Sequence, residues 1–307
     1  MLSLVIPLYN EEVLVERLLE RVVLALNAFT EAYEVICVDD GSTDATLALL
    51  KAAHRREPRV KVLALSRNFG HQAAYTAGLS LAKGNYIAMM DGDLQDPPEL
   101  LAAMYAKLTG TERDDIDIVY GKRTRRGESL QKAFSIRVFH KLFTHLSGIP
   151  DADNVGNFSM MNRTALSAFL SLEERNRYLP GLRFFIGFKQ GYVEYERDER
   201  IDGEAKMNFT KLVRLGLDAI FSFSDFPIRL CFFTGMVGIV VFLLAGIYTL
   251  FAKFNGEAIT GWSSTTLSIY FLGSVQLVFL GVLGEYVYRI YRETQRRPIF
   301  IVREFLE

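Results

Sequence analysis

Short apolar runs alternate with segments of helical periodicity between residues 3 and 120, and this alternation limits the fold more than any other feature of the chain. The apolar runs are rich in Val and Ile and show almost no polar alternation, which predicts strands buried on both faces. The predicted strands are LSLVIPL, YEVICVDD, VKVLALS, NYIAMMD and IDIVYGKR. The predicted helices are EVLVERLLERVVLALNAF, DATLALLKAAHRRE, HQAAYTAGLSLAKG and PPELLAAMYAKL. The sequence therefore predicts an α/β fold whose mostly parallel sheet is covered by helices.

Polar residues follow four of the predicted strands at the points where the strands end. Ligands of open parallel sheets bind outside the carboxyl ends of the strands, so we expect these groups to share one rim. They are Asn10-Glu11, Asp39-Asp40-Gly41-Ser42, Ser66-Arg67-Asn68 and Asp91-Gly92-Asp93. No strand is followed by G-x-G-x-x-G, and the chain has no G-x-x-x-x-G-K-[ST], which weighs against a dinucleotide dehydrogenase and a P-loop NTPase.

The last of these strand ends, MDGDLQD, is a compact set of oxygen ligands. Hard cations such as Mg²⁺ and Mn²⁺ take one or two carboxylates and keep waters and substrate phosphates in their other positions. Asp91 and Asp93 therefore predict a divalent-cation site that holds a diphosphate. The alternative is a solvated, Asp-rich surface turn.

The composition excludes several classes of function. The chain of 307 residues carries 35 Lys and Arg against 36 Asp and Glu, so its net charge gives no reason to expect a nucleic-acid partner. Cys37 and Cys231 lie in apolar stretches without metal-like spacing, which predicts reduced thiols and no disulfide framework. The first residues lead directly into a predicted strand, so no cleaved signal is expected.

Two long uncharged runs, from Leu230 to Ala252 and from Ala258 to Gly284, follow the predicted α/β region. A bilayer core needs about 20 residues of helix, so we expect two transmembrane helices near 230–252 and 266–288. Basic residues flank the pair on its outer sides, whereas the connecting loop offers Lys253 alone, which predicts that both chain ends face the cytoplasm. The alternative is a pair of buried core helices. These flanking residues are Lys206, Lys211, Arg214 and Arg229 before the first run, and Arg289, Arg292, Arg296 and Arg297 after the second.

The segment FTKLVRLGLDAIFSFSD, residues 209–225, places its polar residues at steps of three and four. This pattern predicts a helix lying in the membrane interface, or else one that packs on the α/β domain. The expected organisation is thus a domain at 1–208, a juxtamembrane helix at 209–228, two spans within 229–290 and a cytoplasmic tail at 291–307.

Five ordered motifs carry a resemblance to a known family: VIPLYNEE, VICVDDGSTDAT, LSRNFGHQAAYTAGLSLAKGNYI, MDGDLQDPPEL and VYGKR. Together they resemble a family 2 glycosyltransferase with a GT-A-type fold. The resemblance is strongest to the polyprenyl-phosphate glycosyltransferases of the bactoprenol glucosyltransferase branch, which is related to dolichyl-phosphate mannose synthase. It continues through EERNRYLPGLRFFIGFKQ and RIDGEAKMNFTKLVRLGLDAIFSFSDFPIRL and covers nearly the whole chain.

The resemblance implies roles for individual residues. Those expected at the nucleotide are Pro7, Tyr9, Glu11, Asp39 and Asn68, and those expected at the divalent cation and the donor diphosphate are Asp91, Asp93 and Gln95. Structural alternatives exist: Pro7 ends a strand, Asp40 and Ser42 cap a helix beginning at Asp44, and Asn68 ties a turn. His71 is interpreted as a structural histidine.

The sequence departs from the family where related chains read D-T-G-D-F. Here the residues are Asn154-Val155-Gly156-Asn157-Phe158, so an amide replaces a proposed carboxylate base, with Asp153 as a nearby substitute. Either the enzyme needs no base, which we favour, or Asn157 records a changed activity. A phosphate acceptor needs cations and donors around it. The candidates are Arg123, Lys132, Ser135, Arg200 and Lys206.

The function implied by the resemblance is an inverting, metal-dependent transfer of one hexose, from a donor expected to be UDP-glucose, onto polyprenyl (undecaprenyl) phosphate at the cytoplasmic face. Two alternatives are a processive polysaccharide synthase, which is disfavoured because Q-x-x-R-W is missing, and a non-catalytic membrane protein that binds a sugar nucleotide. Relatives imply a homo-oligomer.

Overall fold

The computed structural model describes residues 1–110, 116–124, 155–175, 177–196, 226–255 and 261–307. The chain divides into two compact units. The first contains the described residues up to Glu196 together with Arg297–Glu307, and the second contains those from Phe226 to Arg296.

The first unit is built on a sheet in which the described residues contribute eight strands. In chain order these are β1 (Leu2–Leu8), β2 (Tyr33–Asp39), β3 (Val60–Leu65), β4 (Tyr86–Met89), β5 (Ile118–Thr124), β6 (Val155–Asn162), β7 (Gln190–Glu196) and β8 (Val302–Leu306). Their order across the sheet is β7-β5-β6-β4-β1-β2-β3-β8. The pairs β1–β2, β1–β4, β2–β3 and β5–β7 are parallel, whereas β4–β6, β5–β6 and β3–β8 are antiparallel.

Six helices accompany these strands in the described part of the first unit. They are α1 (Val15–Asn27), α2 (Thr46–Arg56), α3 (His71–Leu81), α4 (Leu100–Thr109), α5 (Arg163–Leu170) and α6 (Leu179–Phe185). The five predicted strands and four predicted helices are all confirmed, and the α/β, mostly parallel fold class is confirmed with them. Every residue of β1 and β2 is buried, as continuous apolar runs in a covered parallel sheet should be.

Glu34 joins neighbouring strands at the end of the sheet opposite the predicted rim. Its carboxylate accepts hydrogen bonds from Ser3 Oγ at 2.5 Å and Lys83 N at 2.6 Å, and it forms an ion pair of 2.7 Å with Lys61 Nζ. Burial raises the pKa of this carboxyl, but these hydrogen bonds and the Lys61 charge outweigh burial and leave the pKa below its ordinary value. The cluster connects β1, β2, β3 and the residues before β4.

The last residues of the chain complete the outer edge of β3. The sequence reading assigned residues 291–307 to a tail, and the structure adds that Val302–Leu306 is a strand antiparallel to β3. Ser66 N donates to Ile301 O at 2.9 Å beyond the paired register, and Glu304 forms an ion pair with Lys51 of α2. The edge strand of the sheet is thereby covered.

The described residues of the second unit form two long helices, α7 (Phe226–Phe254) and α8 (Trp262–Thr294). One stretch, Phe271–Thr294, is long and apolar enough to cross a membrane by length and composition. The predicted run 230–252 lies within α7. The second long helix begins at Trp262, four residues before the predicted start of the second span at 266. The predicted interfacial segment at 209–225 lies outside the described residues.

Candidate active site

The ends of β1 and β2 are joined by side-chain hydrogen bonds, as the shared rim predicts. Asn10 adopts a left-handed backbone (φ 51°), which Asn tolerates better than most residues. Its amide oxygen accepts from Thr43 N at 2.8 Å, and its own N–H donates to Ser42 Oγ at 3.0 Å. Glu11 N donates to Thr46 Oγ1 at 2.9 Å. The loop after β1 is thus held against the start of α2.

Asp40 joins the end of β2 to the loop that follows β3. Its buried carboxylate accepts from Phe69 N at 2.7 Å and Gly70 N at 2.9 Å. This corrects the alternative in which Asp40 caps a helix at Asp44, because α2 begins at Thr46 and the carboxylate bonds to the other loop. Gly41 (φ 69°) permits the turn, since a Cβ there would lie 2.4 Å from Arg67 C.

The residues expected at the nucleotide lie on or beside this rim. Pro7 lies in β1 and pairs with Val38 of β2. Tyr9 directly follows β1 and is 40% exposed. Asn68 is exposed in the loop after β3. Asp39 is buried and accepts from Ser42 N at 3.3 Å. Burial raises the pKa of Asp39 despite its bonds with Ser42.

Asp91, at the end of β4, is held from helix α3. Its Oδ1 accepts from Tyr75 Oη at 2.6 Å and lies 3.2 Å from His71 Nε2. Burial lowers the pKa of His71, but the hydrogen bond to Asp91 and the charges of Asp91, Asp40 and Asp93 outweigh it and raise the pKa. The interpretation of His71 as a satisfied histidine is consistent with this contact, which also places it beside a predicted metal ligand.

The turn after Asp91 is compact and strained. A Cβ on Gly92 would lie 2.4 Å from Leu8 Cδ2 and 3.2 Å from Pro7 O, so a larger residue would require the Leu8 side chain to shift. Leu94 is fully buried in a left-handed backbone (φ 58°), an unusual state for a bulky residue. Asp93 Oδ1 accepts from Gln95 N at 3.2 Å. The buried Leu94 thus anchors the turn that carries the partly exposed Asp93 and Gln95.

Asp96, the third carboxylate of this stretch, has a different environment. It is fully buried, and Tyr195 Oη of β7 donates a hydrogen bond to its Oδ1. It therefore supports the turn from within the protein, while Asp91 and Asp93 are each partly exposed.

The donor chemistry at the end of β4 suits a hard cation. Asp91, Asp93 and Gln95 offer carboxylate and amide oxygens, the ligands that Mg²⁺ and Mn²⁺ take together with water and phosphate. No group of three or more His, Cys, Asp and Glu within the described ranges is placed to hold a metal ion. A cation here would therefore depend on substrate or water for its remaining ligands.

Asn157 and Asp91 follow the same end of the β4–β6 ladder. Met89 of β4 and Ser159 of β6 are the last pair of that antiparallel ladder, and the two strands run on from it to Asp91 and Asn157. The Asn157 Oδ1 atom is buried and accepts no hydrogen bond from the part of the chain that the structure describes. The amide that replaces the family's carboxylate thus lies at the end of the ladder that also carries the predicted metal ligands.

Five predicted site residues lie outside the described residues: Lys132, Ser135, Asp153, Arg200 and Lys206. Arg123 lies on β5, where its backbone pairs with Tyr195. Sequence reasoning assigned no role to Tyr75 or to Arg183 of α6, whose fully buried guanidinium donates to Gly156 O and Asn157 O. The signal for Arg183 was a single charge inside the apolar run LPGLRFF, and that for Tyr75 was one hydroxyl in a helix of small and apolar residues.

Comparisons with known proteins agree along the length of the chain. Residues 3–170 match the family model described as Glycosyl transferase family 2. An uncharacterized glycosyltransferase of Synechocystis is 39% identical over 99% of this chain and 95% of its own length. The bactoprenol glucosyl transferase of Shigella phage SfV is 35% identical over 98% of each chain. Among solved structures, glucosyl-3-phosphoglycerate synthase from Mycobacterium tuberculosis in complex with phosphoglyceric acid superimposes with a TM-score of 0.49 at 18% identity, covering 73% of this chain and 80% of that one.

Proposed function

The chain belongs to glycosyl transferase family 2, and on that premise we propose that it transfers glucose from UDP-glucose to a polyprenyl phosphate such as undecaprenyl phosphate. The observation that carries the proposal is the match to the bactoprenol glucosyl transferase of Shigella phage SfV, which extends over 98% of both chains and so includes the long helices as well as the sheet. A lipid acceptor suits a chain with a candidate membrane-spanning helix.

The rim at the ends of β1, β2 and β4 supplies the donor site in this proposal. Pro7, Tyr9, Glu11, Asp39 and Asn68 bind the nucleoside, and Asp91, Asp93 and Gln95 hold a divalent cation, Mg²⁺ or Mn²⁺, with the diphosphate. When bound, such a cation stabilises the departing diphosphate as a Lewis acid. Tyr75 and His71 orient the Asp91 carboxylate from behind.

The acceptor explains why an amide can stand at position 157. A phosphate monoester has a second pKa of about 6, so the acceptor is largely dianionic at neutral pH and needs no strong general base. In a single displacement, an oxygen of the acceptor phosphate forms a bond to the anomeric carbon as the bond from that carbon to the donor diphosphate breaks. This inverts the anomeric centre. Arg123, Lys132, Ser135, Arg200 and Lys206 are proposed to hold the acceptor phosphate, and Asp153 is the carboxylate available should one be needed.

The position of β8 supports two membrane crossings. Because β8 and β3 belong to one sheet, a chain that enters a membrane after Glu196 has to return to the same side before Val302. The proposal therefore includes an even number of crossings between these residues. Phe271–Thr294 is one candidate span, so we propose that α7 provides the second, with the sheet and both chain ends in the cytoplasm. The assignment of 209–228 to the interface and a homo-oligomeric state remain predictions.

The activity is tested with the full chain in proteoliposomes containing undecaprenyl phosphate. UDP release is followed for a panel of UDP- and GDP-sugars, and the lipid product is identified by mass spectrometry and by the anomeric proton signal in NMR. We expect UDP-glucose to give a β-linked monoglucosyl lipid, and EDTA to stop the reaction. A polymeric product would support a processive synthase, and nucleotide binding without turnover would support a non-catalytic protein.

The topology is tested by cysteines added one at a time in a C231S background, in which the remaining Cys37 is fully buried. Cysteines placed at Arg303 and at Glu57 should react with a membrane-impermeant maleimide from the same side, and Glu257→Cys from the other side. Cysteines at 303 and 57 that react from opposite sides would exclude two crossings.

A further inference from the structure

Arg183, on helix α6 of the first unit, is fully buried. Its Nη2 donates to Gly156 O at 2.7 Å, and its Nη1 donates to Asn157 O at 3.0 Å and to Ser159 Oγ. The guanidinium also lies 5.1 Å from the ring centroid of Tyr120. Three of its contacts thus fall on Gly156, Asn157 and Ser159 of β6.

Burying a guanidinium is costly, and the acceptors found here are two carbonyls and a hydroxyl rather than a carboxylate. An uncompensated buried charge costs several kcal/mol in real proteins. Features that cost folding free energy concentrate at functional sites, where the surrounding structure holds residues in the geometry that the function needs. Burial lowers the pKa of Arg183, and electrostatic interactions with Tyr120, Tyr75, Tyr178 and Asp91 oppose this effect, so its surroundings include the predicted metal ligand.

The two carbonyls that Arg183 holds belong to Gly156 and Asn157, and its Nη1 also lies 3.9 Å from Met89 Sδ at the end of β4. Asn157 and Asp91 each lie two residues beyond Met89–Ser159, the last pair of the β4–β6 ladder. Pairing of β6 with β4 ends at Ser159, and its pairing with β5 is irregular between Ser159 and Val155. Gly156, which lacks a Cβ, falls in this irregular stretch. The orientation of the Asn157 amide therefore depends on contacts to its main chain from outside the sheet ladder. Arg183 provides such contacts through its hydrogen bonds to Gly156 O and Asn157 O.

We propose that Arg183 is a positioning residue for the transfer reaction: it fixes the main chain at Gly156 and Asn157 and so holds the Asn157 amide beside Asp91, next to the donor diphosphate. This inference rests on the proposed function. Arg183 acts through Asn157 and touches neither substrate. Loss of Arg183 should then slow the chemical step through Asn157 rather than weaken nucleotide binding.

Arg177 provides a matched control in the same unit. It is also buried, donates to two carbonyls, those of Leu172 at 2.7 Å and Phe169 at 3.3 Å, and lies 5.2 Å from the ring centroid of Phe169. Its carbonyl partners lie at and after the end of α5 and belong to no predicted site residue. A purely structural role for buried arginine would make the two residues behave alike.

The test compares R183K and R183M with R177K and R177M in the full chain, with thermal stability measured for each and rates corrected for the folded fraction. We expect all four to lose stability, and only the Arg183 variants to lose at least about tenfold in kcat with the KM for UDP-glucose changed less than threefold. S159A removes the hydroxyl that accepts from Arg183 and provides a second test if the Arg183 variants fail to fold. It should lower kcat by less than the tenfold expected for the Arg183 variants.

A double-mutant cycle decides whether Arg183 acts through Asn157. If it does, N157A lowers kcat, and R183K/N157A is no slower than N157A within about twofold. The inference would be overturned if the kcat loss of R183K/N157A were the product of the losses in R183K and N157A. It would also be overturned by an unaltered kcat in N157A, or by equal kcat losses in R183K and R177K. A wild-type chain that releases no UDP from any donor would instead contradict the proposed function.

Discussion

The Tyr75 hydroxyl donates a hydrogen bond of 2.6 Å to Asp91 Oδ1, which joins the buried face of α3 to the end of β4. Tyr75 is fully buried, and its pKa is raised well above the ordinary tyrosine value by burial and by Asp91, so it remains a hydrogen-bond donor throughout the physiological range. The orientation of the Asp91 carboxylate is thus set by a helix that precedes β4 in sequence.

We expect Tyr75→Phe to raise the concentration of Mn²⁺ needed for half-maximal UDP release by about 10- to 100-fold, because groups that orient metal ligands affect metal affinity on this scale. The ring stays buried, so folding should be kept. Tyr33→Phe is the control, since the Tyr33 hydroxyl bonds Asn27, away from the rim, at 3.1 Å. An unchanged metal requirement in Tyr75→Phe would show that Asp91 is oriented without this bond.

Asp93→Asn and Asp96→Asn should separate the two kinds of carboxylate in the turn after β4. Asp93 is partly exposed, so its change to Asn should leave the melting temperature unaltered while activity falls by about a thousandfold, as loss of a metal ligand would cause. Asp96 is buried against Tyr195, so Asp96→Asn should lower the melting temperature instead. Calorimetry and UDP release together distinguish the cases, and full activity in Asp93→Asn would exclude its role as a ligand.

The sequence predicted those strands in which the local pattern of apolar residues matches the burial of the strand in the folded sheet. β1 to β4 lie at or next to the parallel centre, so their apolar runs are continuous. β6 begins V-G-N and β7 reads QGYVEYE, with polar residues at alternate positions, and β8 reads VREFL in a charged segment. These three strands depend on pairing with distant partners, which no local pattern reports.

The candidate site divides in the same way. The strand-end residues were predictable because a parallel sheet brings its carboxyl ends together. Tyr75 and Arg183 were not, because their importance comes from tertiary contacts with Asp91 and Asn157. Both residues lie within segments that carry the resemblance, but the resemblance assigns neither of them a role.

Glu34→Gln should destabilise the first unit by about 3 kcal/mol, the lower end for a broken buried ion pair, since Glu34 is 3% and Lys61 15% exposed. The folded pKa of Glu34 is depressed below 4.5, so the ionised carboxylate contributes its stability fully above that value and loses it as the pH falls through the folded pKa. The difference between wild type and variant should therefore shrink on acidification. Chemical unfolding between pH 3 and 7 measures it.

Glu16→Gln is the control for that measurement, because Glu16 and Arg56 form an exposed pair with 59% and 65% exposure. Exposed pairs contribute about 0–1 kcal/mol. A pH-independent destabilisation in Glu34→Gln would mean that the carboxylate charge adds nothing to stability.

Removing residues 301–307 should lower the melting temperature of the first unit and promote aggregation, because β3 would expose an unpaired edge. Glu304→Gln, which removes only the ion pair with Lys51, should have a small effect. Thermal scans with light scattering check both variants. Equal behaviour of the truncated and complete chains would indicate that β8 does not protect the edge.

The order of β8 in the chain also matters during synthesis. The strand that closes β3 is translated after both long helices, so the nascent first unit carries an open edge until β8 has left the ribosome. Synthesis of the two helices thus separates the parallel centre of the sheet in time from the strand that protects its edge.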